Sequence, residues 1–202
     1  MVAFPPGKIN LGLQVLSRRS DGYHDLSTCF YPVPATDVLE IIASDEFRFE
    51  QTGILIPGVQ ADNLCVKAYR ILQEQHELPP VHIHLHKVIP TGAGLGGGSS
   101  DAAYTLRLLN NQFSLNLSAD DLMGFAAHLG SDCAFFCQDN AMMGTGRGEI
   151  LAAAPVTLKG YFLLLIKPPV HVSTAEAYAG ITPQIPLVAL DTLLQTSVSV
   201  WK

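Results

Sequence analysis

The chain has 202 residues, and its 12 Lys and Arg against 18 Asp and Glu give a formal net charge of −6 at pH 7. An acidic chain lacks the basic surface that nucleic-acid backbones require, which argues against nucleic acid as a partner. Hydrophobic residues make up 48% of the chain and charged residues 15%, a composition that supports a substantial core and excludes disorder. No apolar run reaches the ~18–20 residues of a membrane span, and no signal peptide is recognisable, so we expect a cytoplasmic protein without a membrane partner. The four cysteines have neither zinc-site spacing nor a Cys-x-x-Cys pair, which predicts reduced core residues.

The first half of the chain is predicted to be rich in strands. Residues 8–16 alternate apolar and polar side chains, a pattern typical of a half-buried strand with Lys8 and Asn10 on one face. The sequence Ser-Asp-Gly at 20–22 then predicts a turn. Two further strands and a helix are predicted at residues 38–43, 47–51 and 62–78.

The second half mixes helices with strands. Periodicity predicts a strand at residues 81–88, followed by helices at 102–113 and 118–129. It further predicts a buried strand at 161–166 and a short helix around residue 178. Ser118 and Asp121 have the spacing of a capping box, and Ser173 is the expected cap of the last helix. The composition changes near residue 155, where we place a domain boundary.

Three histidines, His82, His84 and His86, share one face of the strand predicted at 81–88. Neutral imidazole is a good zinc ligand, so a metal site is one interpretation of this pattern. No nearby acid or cysteine completes such a site, and the pattern favours an exposed strand face.

A glycine-rich segment between a predicted strand and a predicted helix is the clearest chemical signal. Five glycines fall within residues 92–98. Glycine lets backbone N–H groups approach a ligand with no Cβ in the way. The following helix directs its positive end at the same place. This context predicts a phosphate cradle rather than a flexible surface loop.

Several familiar cradles do not fit this segment. Gly92 to Gly97 satisfies the pattern G-x-G-x-x-G, but the dinucleotide fold also needs an acid at a strand end about 20 residues later. Asp120 and Asp121 stand near that distance and belong instead to a helix cap. No Lys-Ser/Thr follows the loop, so it is not a Walker A loop, and the protein-kinase motifs are missing from the sequence.

Residues 90–103 resemble the ATP-binding signature of the GHMP small-molecule kinases. Segments 7–11, 18–24 and 129–136 further resemble the branch of that family that acts on 4-diphosphocytidyl-2-C-methyl-D-erythritol. The likeness runs in order from about residue 4 to residue 180. It implies an α+β fold: a GHMP-kinase N-terminal domain, similar to domain 2 of ribosomal protein S5, at 1–154. It also implies an incomplete second α/β sandwich domain at 155–202, because relatives continue well beyond this length.

The resemblance implies an enzyme that uses ATP with Mg²⁺. The Mg²⁺ would be carried by the ATP phosphates near Ser99, with no permanently held metal. The residues implied for ATP binding are Pro90, Thr91, Gly92, Ala93, Gly94, Leu95, Gly96, Gly97, Gly98, Ser99, Ser100, Asn63 and Lys87. The alternative interpretation is a helix cap for Asn63 and a strand-end lysine for Lys87.

The resemblance also assigns catalytic and substrate-binding roles. Asp132 is the implied base that deprotonates the attacking hydroxyl, and Lys8 would keep its carboxylate ionised and steady the acceptor oxygen. Asn10 would hydrogen-bond the acceptor. For the cytidine-diphosphate-linked methylerythritol substrate, Tyr23 and Tyr178 would stack on the cytosine while His24 bonds its edge.

Two alternatives stay open at this point. The first is another GHMP kinase acting on a mevalonate-type or homoserine acceptor, against which Tyr23 and His24 argue. The second is a non-catalytic binding fragment, because S5-like folds also occur in RNA-binding proteins. The net charge of −6 argues against the second.

Overall fold

A computed structural model describes residues 1–168 and 174–201 of the chain. The chain forms two compact units, which are Met1–Lys8 with Pro32–Asp139 and Ile9–Tyr31 with Asn140–Lys202. The domain boundary near residue 155 stays a prediction.

Five strands come first along the chain, and helices and strands are mixed after them. The strands are β1 (Val2–Ala3), β2 (Pro6–Arg18), β3 (His24–Thr36), β4 (Val38–Ala43), β5 (Arg48–Gly53), β6 (Val81–Lys87), β7 (Met142–Gly146) and β8 (Ile150–Ala153). The helices are α1 (Leu64–Gln73), α2 (Gly97–Gln112), α3 (Ala119–Leu129), α4 (Thr174–Ala179) and α5 (Leu190–Leu194). None of the helices in the described ranges combines the length and apolar character needed to cross a membrane.

The first unit contains a four-stranded sheet in the order β1–β4–β6–β5. β4 pairs antiparallel with β1 and β6, whereas β5 runs parallel to β6. The predicted alternation of β6 is present, because Val81, Ile83 and Leu85 are fully buried. The histidines between them take the opposite face of the sheet, which is only partly covered.

Helices α1, α2 and α3 supply the other side of this core. The buried side chains that they contribute include Ala68, Leu72, Ala102, Leu106, Leu109, Leu122 and Ala126. Each fully buried aliphatic side chain of leucine size contributes roughly 1.5–3 kcal/mol. The core therefore fixes the start of α2 relative to β6, the two elements that flank the glycine segment.

The helix boundaries differ from the predicted ones in an informative way. The Asn63 side chain caps α1 by accepting a hydrogen bond from the Cys65 N–H at 2.9 Å, as the sequence allowed. α1 ends at Gln73 and does not continue to residue 78. α2 begins at Gly97, inside the glycine segment, and not at residue 102. Gly97 and Gly98, the last two glycines of that segment, therefore lie in the first turn of α2.

Most of the second sheet, in the order β2–β3–β7–β8, belongs to the second unit. The first residues of β2 and the last residues of β3 are counted with the first unit. β7 pairs antiparallel with β3 and with β8. Its small core gathers Cys29, Met143, Leu190 and Leu194. All four cysteines of the chain are free, and three of them are buried.

The predicted buried strand at 161–166 is wrong for this structure. These residues form no strand, and their apolar side chains are exposed. A strand needs a neighbour to pair its backbone N–H and C=O groups. Within the described residues neither sheet extends to this segment. The predicted cap at Ser173 lies outside the described residues.

The capping box at the start of α3 gives a stability test. Ser118 Oγ accepts from the Asp121 N–H at 3.1 Å, and Asp121 Oδ2 accepts from the Ser118 N–H at 2.9 Å, which confirms the prediction. We expect Ser118→Ala to lower the free energy of unfolding by about 1 kcal/mol, because the first turn loses an acceptor. Ser118→Asn, an equally good cap, should stay close to the unmutated chain. Denaturant unfolding measures both, and equal losses for the two variants would contradict the role of the cap.

Candidate active site

The glycine segment joins β6 to α2 in the first unit. Gly92, Gly94 and Gly96 have positive φ angles of 65°, 72° and 66°. Gly96 is the N-cap of α2 in the left-handed conformation, and glycine has no side chain with which to cap the helix. The first backbone N–H groups of α2 therefore lack a capping side chain, and the positive end of the helix adds its field there. This arrangement suits an anion such as a phosphate.

The space around Gly94 and Gly96 indicates a different role for each of these glycines. A Cβ placed on Gly94 would meet no atom within 4 Å, so the backbone at this residue borders open space. A Cβ on Gly96 would lie 2.9 Å from Phe136 Cε2 and 3.2 Å from Lys8 Cγ. Gly94 thus leaves room for a ligand, whereas Gly96 allows close packing of the loop against the protein.

Lys8 and Asp132 meet beside this loop, within the first unit. Lys8 is 6% exposed, and its Nζ lies 3.5 Å from Asp132 Oδ2. The Lys8 N–H donates to the Leu95 carbonyl at 2.8 Å, which joins the strand to the glycine loop. The structure thereby brings together two residues more than a hundred positions apart and places them next to the predicted phosphate cradle.

The segment after α3 holds Asp132 in place. Gly130 ends the helix, and the Cys133 N–H donates to the Gly130 carbonyl at 3.1 Å. A short 3₁₀ turn, Ala134–Cys137, then buries Phe135 and Phe136 almost completely. The Asp132 side chain remains one-third exposed between these anchors. A partly exposed carboxylate on a fixed backbone is suited to receive a proton from a bound hydroxyl.

The two ATP residues predicted outside the loop have other partners in this structure. Asn63 caps α1, which matches its alternative interpretation. Lys87 is 1% exposed, and its Nζ donates to Asp101 Oδ2 at 2.7 Å and to Asp37. It is the last residue of β6, which matches its alternative interpretation as a strand-end lysine. Contact of either residue with ATP stays a prediction.

The electrostatics around Lys87 reflect its burial. Burial raises the pKa of the Asp101 carboxyl to about 7, although the Lys87 ammonium beside it acts in the opposite direction. Burial lowers the pKa of Lys87, but the carboxylates of Asp101 and Asp37 more than offset this, and the net shift is upward. Asp37 and Asp101 were not predicted from the sequence. The available signal was the alternation of β6, which marks Lys87 as inward-facing and therefore in need of a buried acid as partner.

The predicted base-binding residues lie in the second unit. Tyr23 is 56% exposed at the end of the turn predicted at 20–22. The Arg19 N–H donates to the Tyr23 carbonyl at 2.8 Å, and the Tyr23 N–H donates to Asp21 Oδ1 at 3.1 Å. This N–H and the Arg19 guanidinium lower the pKa of the Asp21 carboxyl. The ring of Tyr23 is thus carried on a well-bonded hairpin.

Arg147 is a residue at this place that the sequence analysis missed. Its guanidinium carbon lies 5.0 Å from the centroid of the Tyr23 ring, a cation–π contact. Its Nε also lies 3.6 Å from Glu149 Oε1. The signal available was the second glycine-rich stretch, residues 144–148, from which Arg147 projects.

The remaining substrate-binding candidates have neighbours within the second unit. The His24 and Tyr178 rings stack with centroids 5.3 Å apart and an interplanar angle of 17°. Asn10 Nδ2 donates to Thr28 Oγ1 at 2.7 Å. The structure therefore brings His24 and Tyr178 together, while the roles predicted for them and for Asn10 stay predictions.

The three histidines of β6 contact side chains of the neighbouring strand β5. Thr52 Oγ1 lies 2.9 Å from His84 Nε2 and 2.9 Å from His86 Nδ1, and His82 Nε2 lies 3.7 Å from Glu50 Oε2. In the part of the chain that the structure describes, no three or more His, Cys, Asp or Glu residues gather as metal ligands would.

Comparison with solved structures supports the fold. A crystal structure of 4-(cytidine 5'-diphospho)-2C-methyl-D-erythritol kinase matches 96% of this chain and 70% of its own, with a TM-score of 0.78 and 32% identity. A homoserine kinase from Cytophaga hutchinsonii matches with a TM-score of 0.65 at 18% identity, which shows a shared fold alone. The α+β class predicted from the sequence is confirmed.

Sequence comparison defines the family. Residues 63–140 match the family described as GHMP kinases N terminal domain. The whole chain is 50% identical to a 4-diphosphocytidyl-2-C-methyl-D-erythritol kinase from Cytophaga hutchinsonii and covers 75% of that protein. It is also 50% identical to the enzyme of the same name from Bacteroides thetaiotaomicron, again with 75% of the relative covered. The resemblance found in residues 90–103 is thereby confirmed, and the chain belongs to the 4-diphosphocytidyl-2-C-methyl-D-erythritol kinase family of the GHMP kinases.

Proposed function

We propose that this chain is a small-molecule kinase that transfers the γ-phosphate of ATP to the 2-hydroxyl of 4-diphosphocytidyl-2-C-methyl-D-erythritol. The products are the 2-phosphate and ADP, a step of the methylerythritol phosphate route to isoprenoids. The observation that carries the proposal is the Lys8–Asp132 pair beside the glycine loop, with 3.5 Å between Nζ and Oδ2. The names of the relatives favour this acceptor over mevalonate or homoserine.

The glycine loop and the start of α2 would hold the ATP phosphates. The fit rests on the open space at Gly94 and on the uncapped N–H groups of α2. Ser100 Oγ, buried at the same place, has no hydrogen-bond partner among the residues that the structure describes. When bound, ATP with Mg²⁺ near Ser99 supplies the phosphoryl group and neutralises part of its charge. The residues 90–100 would position that group and exclude water from it.

Asp132 would act as the general base. Its carboxylate accepts the proton of the substrate 2-hydroxyl as the oxygen attacks phosphorus. The Lys8 ammonium, held beside it, would stabilise negative charge that develops on the attacking oxygen. Burial of Lys8 strengthens this interaction because the surrounding protein screens charge less than water does.

Recognition of the substrate base would fall to the second unit. Tyr23 offers an exposed aromatic ring on a well-bonded hairpin, which suits stacking on cytosine. His24 would hydrogen-bond the edge of the base, with Tyr178 as the second stacking ring and Asn10 near the acceptor. His24 and Tyr178 already stack on one another, so their rings are partly ordered before substrate binds.

An ADP-release assay with three acceptors tests the proposal directly. The unmutated chain should turn over the cytidylyl substrate, with mevalonate and homoserine as comparison acceptors. We expect a clear preference for the cytidylyl compound in kcat/KM. A higher kcat/KM with mevalonate or homoserine would contradict the proposed acceptor.

The loop assignment can be tested at Gly94. We expect Gly94→Val to abolish measurable ATP binding, because a side chain there occupies the open space of the cradle and disfavours a φ of +72°. Gly58→Val is the matched control, since Gly58 also has a positive φ of +116° and open space around its Cβ position. Titration calorimetry with ATP measures both. Unchanged ATP affinity in Gly94→Val would place the cradle elsewhere.

The base is tested with Asp132→Asn. We expect kcat to fall by at least ~10²-fold because the carboxamide takes no proton, whereas ATP affinity should be preserved. Asp120→Asn, an exposed acid in the first turn of α3, is the control and should keep its rate. Steady-state kinetics and ATP titration separate the two effects. A rate close to that of the unmutated chain would exclude Asp132 as the base.

The stacking role is tested with Tyr23→Ala. Losing one stacking contact with the base costs ~1–3 kcal/mol of binding free energy. The kcat/KM for the cytidylyl substrate should therefore fall about 5- to 150-fold, with little change in ATP binding. Tyr23→Phe, which keeps the ring, should retain most of the activity. Tyr161→Ala, at another exposed tyrosine, controls for the loss of a surface ring. If Tyr23→Ala matched Tyr161→Ala, the stacking assignment would fail.

A further inference from the structure

Three charged side chains are buried together behind the glycine loop. Asp37 is fully buried, and Lys87 and Asp101 are each 1% exposed. The Lys87 ammonium donates to both carboxylates, at 2.7 Å for Asp101 Oδ2. We name this set the Asp37–Lys87–Asp101 triad.

The triad connects the chain on both sides of the loop. Asp37 Oδ1 accepts from the backbone N–H groups of Val88 and Ile89 at 2.6 and 2.8 Å, which fixes the chain as it leaves β6. Asp101 lies in the early part of α2, where the chain leaves the loop. Lys87 bonds to both acids, so a continuous set of hydrogen bonds spans the entry and the exit of the loop.

The contact with the loop itself is close. A Cβ on Gly97, the first residue of α2, would lie 2.9 Å from Lys87 Nζ and 3.0 Å from Ile89 Cγ2. The ammonium therefore supports the first turn of the helix whose N–H groups face the cradle. A shift of Lys87 would move this turn.

The chemistry of the triad argues against a role in stability alone. Burying two carboxylates and one ammonium carries a large desolvation cost, and well-packed apolar residues often stabilise a core as well or better. Charge-assisted hydrogen bonds are directional, so they fix backbone position more sharply than apolar packing does. Position is what a phosphate cradle made of backbone N–H groups requires.

We propose that Asp37, Lys87 and Asp101 are positioning residues that set the geometry of the glycine loop for the ATP phosphates. The three side chains act on nucleotide affinity through the backbone and not by touching the nucleotide. This inference rests on the proposed function, in which the loop holds ATP.

The test compares two substitutions at Asp101. Asp101→Ala removes the bond to Lys87, whose charge is still balanced by Asp37, so the variant should fold. A hydrogen bond to a charged group has a strength that corresponds to about a 10- to 100-fold change in an equilibrium constant. We expect Asp101→Ala to raise the Kd and the KM for ATP by that factor, with kcat within about 2-fold, because Lys8 and Asp132 are untouched. Asp101→Asn keeps an acceptor oxygen and should recover most of the affinity.

Leu109→Ala is the matched control for a purely structural effect. Leu109 is a fully buried core residue of α2, away from the loop. Its truncation should lower Tm while the Kd for ATP stays unchanged. If Asp101→Ala also lowered Tm with an unchanged Kd, the positioning role would be overturned. Should Asp101→Ala fail to fold, Asp37→Asn replaces it. Asp37 accepts with both of its oxygens, from Lys87 and from the N–H groups of Val88 and Ile89, and a carboxamide has only one acceptor oxygen. A raised Kd for ATP is therefore expected again, and an unchanged Kd would overturn the proposal.

Two results separate this inference from the proposed function. If the unmutated chain does not bind ATP, or if Gly94→Val binds it normally, the loop is not the ATP site and both proposals fall. If the unmutated chain binds ATP, Gly94→Val does not, and Asp101→Ala binds it as well as the unmutated chain, only the positioning role falls.

Discussion

The absence of a side chain at Gly96 is the constraint on which the candidate catalytic centre depends. A Cβ there would lie 2.9 Å from the Phe136 ring and 3.2 Å from Lys8 Cγ. The strand with Lys8, the turn after Asp132 and the glycine loop all meet at this residue. Any larger residue would push at least one of them away, and a base separated from the cradle by even ~1 Å loses much of its rate advantage.

The charges around the loop are nearly balanced within the protein. Lys8 is paired with Asp132, and Lys87 is paired with two acids. Lys87 is therefore a weak source of attraction for a phosphate despite its place beneath the loop. In the proposed site, the attraction comes instead from the uncapped N–H groups and the positive end of α2, with Mg²⁺ on the phosphates. These backbone donors act only when the loop is held in one shape, which connects binding to the packing below it.

Patterns within a few neighbouring residues were enough to predict much of the fold. Contacts between residues far apart in the sequence could not be predicted from such patterns. The alternation of β6 and the capping box of α3 were found because their signals lie within a few neighbouring residues. β3 was not predicted, and its last third contains Pro32 and Pro34, which lack the N–H that a paired strand normally donates. The Lys8–Asp132 pair entered through the family resemblance, because no local pattern joins residues so far apart. The burial of Lys87 depends on Asp37 and Asp101, whose approach only the folded chain reveals.

In the second unit, side-chain contacts order the turn that carries Tyr23. The Arg19 side chain bonds to Asp21 and Asp25 on either side of Tyr23, at 3.0 and 2.9 Å. Arg147 lies over the Tyr23 ring, which restrains the side chain as well as the backbone. A ring ordered in this way gives up less conformational entropy when a base stacks on it. The glycine-rich stretch around Arg147 therefore has a physical reason in the proposed function: its turn, with φ of +67° at Gly146 and +107° at Gly148, carries the guanidinium that lies over Tyr23.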